Sequence, residues 1–242
     1  MILTSPDDFE AAVRSYGFAP FAFDEDDLAS ARVSLAQANL LLVGEPHGVY
    51  ETPGVLYSLS LDLDIRAVAF EWSWEEMDGV LQDFVGGGPL DFEQLWSLPP
   101  SAEFFCGDGR ITPGHFALLQ RLRDEDRLGQ VITFDRLDPE QPVEAVVRER
   151  DMARRLLAEW DERLPLLVLT GAFHARLDAE AGETMATNLA RERPGLQAGM
   201  LDYAGGQCRA GNELHDLSGP MPPSPITLRL PKATPASVPE AR

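Results

Sequence analysis

Two histidines of this chain occupy the same place in a repeated pattern, Gly-x-x-His, and each copy follows a short apolar run. The first copy ends at His47 after the run 40–43, and the second ends at His174 after the run 166–170. The sequence contains four histidines, so half of them stand in this repeat. Imidazole takes up and releases protons near neutral pH and also binds metals. The repeat therefore predicts a site in which two imidazoles carry out acid–base or metal-assisted chemistry.

Acidic side chains follow apolar runs of the chain in the same way. Glu45 lies inside the first motif, whereas Glu71 and Asp135 each follow a later apolar run. A carboxylate next to an imidazole can orient a water molecule or complete a set of metal ligands. We expect four of these groups to converge on one pocket: Glu45, His47, Glu71 and His174. Asp135 has two interpretations: it is either a member of the site or a structural residue, because an acidic residue after a strand is often only a helix N-cap.

The stretch 142–163 predicts a helix with an arginine among its apolar side chains. At 3.6 residues per turn these side chains form one stripe, which consists of Val143, Val146, Val147, Ala153, Leu157 and Trp160. Arg150 falls in the middle of this stripe, so we expect a largely buried guanidinium. It can pair with a core acid such as Glu71, or it can enter the pocket and hold a carboxylate or polarise a carbonyl. Both interpretations stay open.

Four further residues are candidates for substrate binding. They are Trp72, Arg110, His115 and Asp135. Of the neighbouring Trp72 and Trp74, we expect one in the core and the other in the wall of a pocket. His115 also fits a surface or capping role, and His215 stands in no periodic context.

These residues need a framework that brings strand ends together. Apolar runs predict strands at 39–43, 66–70, 131–134, 166–170 and 196–201. Helical patterns occupy 6–16, 25–38, 53–63, 74–84, 112–127, 142–163 and 179–193. This alternation predicts an α/β fold with a central, mostly parallel sheet flanked by helices. The carboxyl ends of the strands form the edge where such sheets bind ligands, and the repeated strand and motif are consistent with an internal duplication.

The chain is expected to form one α/β domain over residues 1–218. The segment 86–112 is irregular and begins with three glycines and a proline, which is typical of a lid, a binding loop or a disordered insertion. Residues 219–242 are Pro-rich, and we expect an extended or disordered tail apart from an edge strand at 226–230.

The composition excludes some partners. A formal net charge of −20 argues against nucleic acid and anionic membrane surfaces, which need a basic face. No apolar stretch approaches the length of a membrane span, and the first ten residues lack the features of a signal peptide. The two cysteines have no metal-ligand spacing. We expect a cytoplasmic protein that acts on small molecules or peptides.

Taken in order along the chain, these motifs resemble the superfamily of erythromycin esterases, ChaN-type haem-binding lipoproteins and TIKI/TraB proteases. The matching residues lie within 39–203 and are Gly44-Glu45-Pro46-His47-Gly48, Glu71, Arg150-Asp151-Met152-Ala153 and Gly171-Ala172-Phe173-His174. The Gly-Glu-x-His spacing is nearer to ChaN and TIKI. The resemblance implies a central sheet flanked by helices with the site at the strand ends. The activities it implies are ester hydrolysis, metal-dependent peptide cleavage or haem binding.

An activated water is the favoured nucleophile, because no serine or cysteine lies in a nucleophile-elbow context. In a metal-free version one histidine takes a proton from water, Glu45 or Glu71 orients it, and the second histidine and Arg150 stabilise the oxyanion. In a metal version Mn²⁺, Co²⁺ or Zn²⁺ is bound by His47, His174, Glu45 and Glu71. The candidate catalytic set is Glu45, His47, Glu71, Arg150 and His174.

The sequence thus predicts a hydrolase of an ester, lactone or amide bond. Because of the net charge of −20, we expect its substrates to be uncharged or cationic small molecules or peptides. The alternative is a non-catalytic haem- or small-ligand-binding protein of the ChaN type, in which one histidine is the axial ligand. A scaffold with a vestigial pocket is a third hypothesis.

Overall fold

The computed structural model describes residues 1–19, 21–136, 144–219, 221–222 and 224–241. Within these residues six strands form one parallel sheet in the order β4-β3-β5-β2-β6-β9. Their bounds are β2 Leu40–Glu45, β3 Ala67–Ser73, β4 Gln130–Asp135, β5 Leu166–Gly171, β6 Ala198–Tyr203 and β9 Ile226–Leu230. The short strands β1 Ile2–Leu3 and β10 Val238–Pro239 pair with each other, as do β7 Gln207–Ala210 and β8 Glu213–Asp216. The predicted α/β fold with a central parallel sheet is confirmed.

The two strands that carry the Gly-x-x-His motifs are direct neighbours. After β2 the chain forms β3 and β4 further out, and β5 then returns to the position between β3 and β2. The register pairs Leu40 with Leu166 at one end and Glu45 with Gly171 at the other. All these strands run in parallel, so their carboxyl ends share one edge of the sheet, as predicted.

Helices cover both faces of the sheet. Their bounds are α1 Pro6–Arg14, α2 Glu25–Ala38, α3 Thr52–Asp62, α4 Trp74–Val85, α5 Phe92–Trp96, α6 Pro113–Asp124, α7 Ala145–Glu159 and α8 Met185–Glu192. Alternate residues of β2 point to opposite faces: Leu41 and Val43 belong to one buried cluster, and Leu40 and Leu42 belong to the other. Burial on both faces explains the unbroken apolar runs. None of the described helices combines the length and apolar character needed to cross a membrane.

Helix α7 differs from its prediction in register. Its predicted start at Pro142 and the stripe residue Val143 lie outside the described residues. Val146 and Val147 are exposed. The buried side chains of α7 are Glu149, Met152, Ala153 and Leu156. The true stripe is centred on Glu149, about 100° from the predicted centre, because one residue turns a helix by that angle.

The segment 86–112 is packed into the fold. It contains α5 and a short 3₁₀ helix at Glu103–Phe105, and Phe92, Phe104 and Phe105 belong to the main hydrophobic cluster. The segment 219–242 also contributes to the fold. The strand expected at 226–230 is present as β9 next to β6, and β10 pairs with β1, where Val238 is fully buried.

A backbone junction fixes the loop that follows β2. The amide of Gly48 donates a hydrogen bond to Gly109 O at 3.0 Å, and Gly48 O accepts hydrogen bonds from the amides of Arg209 at 3.1 Å and Ala236 at 2.8 Å. Gly48 has φ +75°, and a Cβ there would lie 1.9 Å from Arg209 O. Only glycine fits, because it combines positive φ with the close approach of a second backbone. Three distant segments therefore hold the loop that carries His47.

Candidate functional site

Glu71 lies between the two histidines. His47 Nε2 is 3.9 Å from Glu71 Oε2, and His174 Nε2 is 3.4 Å from Glu71 Oε1. His47 Nδ1 lies 3.1 Å from Glu45 Oε1. The structure thus brings together the four groups that we expected to converge, at the carboxyl ends of β2, β3 and β5.

Glu71 is a buried carboxylate that stays ionised. Its Oε2 accepts hydrogen bonds from the Thr170 hydroxyl and the Gly171 amide, each at 2.7 Å. Burial alone would raise the pKa of Glu71, but His174, His47 and Arg110 outweigh burial and hold this pKa well below its usual range. Glu71 therefore acts as a fixed negative charge between the two imidazoles.

His174 is held as an imidazolium. Its Nδ1 lies 2.6 Å from Glu149 Oε1, and Glu149 Oε2 accepts the amide of Met185 at 2.7 Å. Burial lowers the pKa of His174, but the contacts with Glu149 and Glu71 outweigh burial and raise the pKa to about 9. At neutral pH this side chain carries a proton and a positive charge.

His47 has a different setting. Its Nδ1 is fixed by Glu45, whereas its Nε2 makes no hydrogen bond to any residue that the structure describes. The side chain is 21% exposed, against 12% for His174. Burial lowers the pKa of His47, while Glu45 and Glu71 raise it and the net direction is upward. His47 thus presents one nitrogen that is oriented by a carboxylate and reachable from solvent.

Glu45, which contacts His47, and Glu103, which contacts Arg110, are two further buried acids of the site. Burial raises the pKa of Glu45 even though His47 opposes the shift. Burial also raises the pKa of Glu103 to about 8 against the effect of Arg110. Each carboxyl has one buried oxygen, Oε2, without a hydrogen-bond partner among the described residues. Glu103 is therefore mainly protonated at neutral pH.

Two arginines join the acidic groups into one network. The guanidinium of Arg110 contacts four carboxyl groups, with Asp108 at 2.6 Å, Glu103 at 2.7 Å, Asp135 at 3.1 Å and Glu71 at 3.3 Å. Arg148 donates from Nε to Asp135 Oδ1 at 2.9 Å and from Nη2 to Glu71 Oε1 at 3.2 Å. Asp135 is fully buried and bridges both guanidinium groups. Asp135 thus organises the site rather than capping a helix.

Arg150 is not part of this network. Its side chain is 50% exposed and pairs with Glu183 at 3.2 Å, so the expected burial beside Glu71 was wrong. Arg148 and Arg150 lie about 100° to either side of the buried Glu149. One side of the helix faces the strand ends, and the other faces Glu183. Arg148 occupies the place that we predicted for Arg150.

Trp72 and His115 lie in the core beside the site. Trp72 is 1% exposed, stacks on Phe70 with ring centroids 4.4 Å apart, and donates from Nε1 to Arg110 O at 2.9 Å. The expectation that Trp72 binds substrate was wrong, since a fully buried indole cannot line an open pocket. His115 is also 1% exposed, its Nδ1 lies 3.0 Å from Thr112 Oγ1, and burial lowers its pKa to about 3. Neither a surface role nor substrate contact fits this neutral histidine.

The donor set does not fit a divalent metal. Within the described part of the chain, no group of three or more His, Cys, Asp and Glu side chains has an arrangement that could hold one. Glu71, the shared candidate ligand, already has two guanidinium groups within 3.3 Å of its Oε1. A haem iron at His47 Nε2 would need open apolar space, but Glu71 and the Gly171 backbone lie beside this nitrogen.

Sequence reasoning missed Arg148, Glu149, Glu103 and Asp108 as members of the site. Glu149 had a detectable pattern: it is the charged member of the apolar series Met152, Ala153, Leu156 at helical spacing. A buried acid on such a stripe needs a partner. Glu103 and Asp108 lie in the irregular segment, where periodicity gives no information.

No family model and no curated protein matches this chain. Among solved structures, it is similar to the C-terminal region of Pasteurella multocida toxin, whose crystal structures reveal a thiol-protease-like catalytic triad. The likeness covers 81% of this chain but 29% of that chain, with 12% identity and a TM-score of 0.48. A likeness of this size assigns neither a family nor an activity.

Proposed function

We propose that this protein is a hydrolase that adds water to an ester, lactone or amide bond. One observation carries the proposal: His47 has Nδ1 held by Glu45 and a free Nε2, while the neighbouring His174 is clamped between Glu149 and Glu71. Two imidazoles held so differently can divide the work, with the accessible one as the base and the clamped one as a fixed positive charge for the oxyanion. We further propose distant membership of the erythromycin esterase, ChaN and TIKI superfamily, which the two motifs and their adjacent strands support.

His47 is the general base in this proposal. Glu45 holds its Nδ1–H at 3.1 Å, which leaves the Nε2 lone pair available to accept a proton from water. Glu71 Oε2, at 3.9 Å from Nε2, is at a distance that one water molecule can bridge. The proton moves from the water to Nε2 as the hydroxide oxygen forms a bond to the carbonyl carbon.

His174 stabilises the negative charge that this attack creates. Its pKa of about 9 keeps it protonated at neutral pH, and because both of its N–H groups are directed at Glu149 and Glu71, it acts on the oxyanion through its positive charge. The carboxylates of Glu149 and Glu71 fix its orientation in advance. When the tetrahedral intermediate collapses, the bond to the leaving group breaks, and the leaving group takes the proton from His47 Nε2. The base then returns to its starting state.

Arg148 and Arg110 hold Glu71 and Asp135 in place. Their charges are already matched by carboxylates, so they act as positioning residues and not as free cations for a substrate. This arrangement explains how several buried acids coexist at the site.

A panel of aryl and alkyl esters, lactones and short peptides tests the proposal. We expect His47→Gln to lower turnover by about 10²–10⁴-fold, the range for loss of a general base. His174→Gln should also lower kcat, because the oxyanion loses its cationic partner. His215→Gln is the matched control, since His215 lies on the exposed strand β8. Turnover that survives His47→Gln, or no turnover on the whole panel, would refute the assignment.

A further inference from the structure

The turn that follows β5 presents a large apolar side chain to solvent. Phe173 is 50% exposed, although it stands in the second motif directly before His174. The other residues of the turn 172–175 are less exposed: Ala172 and His174 are half-buried, and Ala175 is fully buried. A molecule that approaches the turn from solvent therefore meets the ring of Phe173 first.

Hydrogen bonds fix the backbone on both sides of Phe173. The amide of Ala172 donates to Glu45 O at 2.9 Å, and Phe173 O accepts a hydrogen bond from the amide of Arg176 at 3.2 Å. The outward direction of the ring is thus set by the turn. An apolar surface that is already in place saves the free energy of ordering it when a ligand binds.

The ring of Phe173 lies against a proposed catalytic group. Its centroid is 5.6 Å from the centroid of the His174 imidazole, and the two rings are nearly perpendicular, at 83°. This edge-to-face contact leaves half of the surface of Phe173 uncovered by the protein. An apolar group that covers the free surface of Phe173 therefore lies next to His174.

The space between the two histidines is narrow. A Cβ at Gly171 would lie 3.0 Å from His47 Nε2 and 3.5 Å from His174 Cδ2. The glycine leaves room there for a small group such as a carbonyl, so the larger parts of a substrate must extend outward. On the side of His174, the exposed surface that they meet is Phe173.

The proposed mechanism decides which part of the substrate lies on this side. The tetrahedral carbon carries the oxygen of the attacking water, the leaving group, the oxyanion and the acyl group. The water gives its proton to His47 Nε2 and the leaving group takes this proton, so both lie near His47. The oxyanion faces the positive charge of His174. The acyl group is the one that remains, and it extends away from His47 towards Phe173.

We propose that Phe173 is a specificity-determining residue whose exposed ring binds an uncharged aromatic acyl group of the substrate. Such a group removes apolar surface of both partners from water, which an acetyl group cannot do to the same extent. A carboxylate on the acyl group is disfavoured by the net charge of −20. The assignment to the acyl group rests on the proposed hydrolase function, but the contact of Phe173 with an aromatic ligand does not.

Two esters of the same alcohol, ethyl phenylacetate and ethyl acetate, test the specificity of the full chain. We expect a higher kcat/KM for the phenylacetate, and F173A should lower the ratio of the two kcat/KM values by about tenfold, a typical effect of losing one aromatic contact. F173L should retain part of the ratio. L61A is the control and should retain all of it, since Leu61 is an exposed apolar residue of α3. An equal loss for both esters would mean that Phe173 only supports His174, and would overturn the proposal.

Two ketones test the contact without catalysis, because a ketone has the carbonyl but no bond that water can cleave. Phenylacetone and acetone are titrated into the protein while the NMR signals of the His174 ring are followed. Phenylacetone should bind at least tenfold more tightly, and F173A should remove most of this difference. Equal binding of the two ketones, or a preference that F173A retains, would overturn the proposal.

The two sets of measurements separate this proposal from the proposed function. Preferential binding of phenylacetone without hydrolysis of any ester would refute the hydrolase and leave the contact at Phe173 standing. Ester hydrolysis with a ratio that F173A does not change would refute the role of Phe173 alone.

Discussion

Glu45 of β2 is paired in register with Gly171 of β5, so the acid of the first motif stands beside the glycine of the second. A Cβ at Gly171 would lie 3.0 Å from His47 Nε2 and 3.5 Å from Glu71 Oε2. The missing side chain is thus what lets the free nitrogen of His47 come close to the second motif.

Gly171→Ala should disturb the site more than the fold. The added methyl group would push against His47 Nε2, so we expect a large loss of turnover and a destabilisation of about 1–3 kcal/mol, the usual cost of overpacking. Ester hydrolysis and urea unfolding measure the two effects. Gly79→Ala is the control: a Cβ at this position in α4 meets nothing within 4 Å in the described structure, so this variant should gain about 0.5–1 kcal/mol. Equal activity of both variants would contradict the geometry.

Arg148 and Arg150 should differ sharply when each is replaced by alanine. Arg148→Ala leaves the buried Asp135 and Glu71 with one cationic partner fewer, which should cost about 3 kcal/mol. Arg150→Ala breaks only an exposed pair and should change stability by less than about 0.5 kcal/mol. Urea unfolding of the two variants measures the difference. A larger loss for Arg150→Ala would mean that α7 is rotated relative to the structure described above.

His174 should hold its proton far above the usual range. Its pKa is about 9 in the folded protein and 6.5 for a histidine in the unfolded chain, so the folded chain binds this proton more tightly. The resulting stability is complete below pH 6.5 and is lost as the pH rises through 9. NMR titration of the His174 ring measures the pKa directly, and Glu149→Gln should lower it. A ring that titrates near 6.5 would show that the clamp is absent.

The rate of hydrolysis should follow a bell-shaped pH profile. His47 must lose its proton to act as base, so the rate rises through a pKa above 6.5. His174 must keep its proton, so the rate falls as the pH passes about 9. The profile of kcat/KM measures both limits. Glu149→Gln should move the alkaline limit to lower pH and leave the acid limit in place.

Glu103 should make the protein less stable at alkaline pH. Its pKa is raised from 4.5 to about 8. The contribution of Glu103 to the free energy of unfolding is therefore complete below pH 4.5 and is lost as the pH rises through 8. Glu103→Gln, which cannot ionise, should be less sensitive to pH between 5 and 9. Urea unfolding at several pH values makes the comparison. An unchanged pH dependence in this variant would mean that Glu103 is ionised throughout.

The sheet and the convergence of the two motifs at one of its edges could be predicted because burial on both faces leaves an apolar run in the sequence, as at β2 and β5. That β2 and β5 are direct neighbours was visible only in the structure. The choice of Arg150 over Arg148 failed for a physical reason. A helix turns by about 100° per residue, so placing the stripe one residue off exchanges a buried side chain for an exposed one. Glu103 and Arg110 lie in the irregular segment 86–112, which has no periodic pattern. The contacts of Arg110 with Glu103 and Glu71 could therefore not be predicted. The interior position of Trp72 depends on Phe70 and Phe116, which only the fold brings together.

The junction at Gly48 bears on the order in which the chain acquires its site. The loop that carries His47 is held by the backbone of Gly109, Arg209 and Ala236, and the last of these belongs to the final strand-forming segment. During synthesis from the amino terminus, β2 to β5 emerge long before Ala236. The sheet edge can therefore assemble while the loop at its end is still unsupported. The site should therefore reach its active geometry late in folding, after contacts between residues far apart in the sequence have formed.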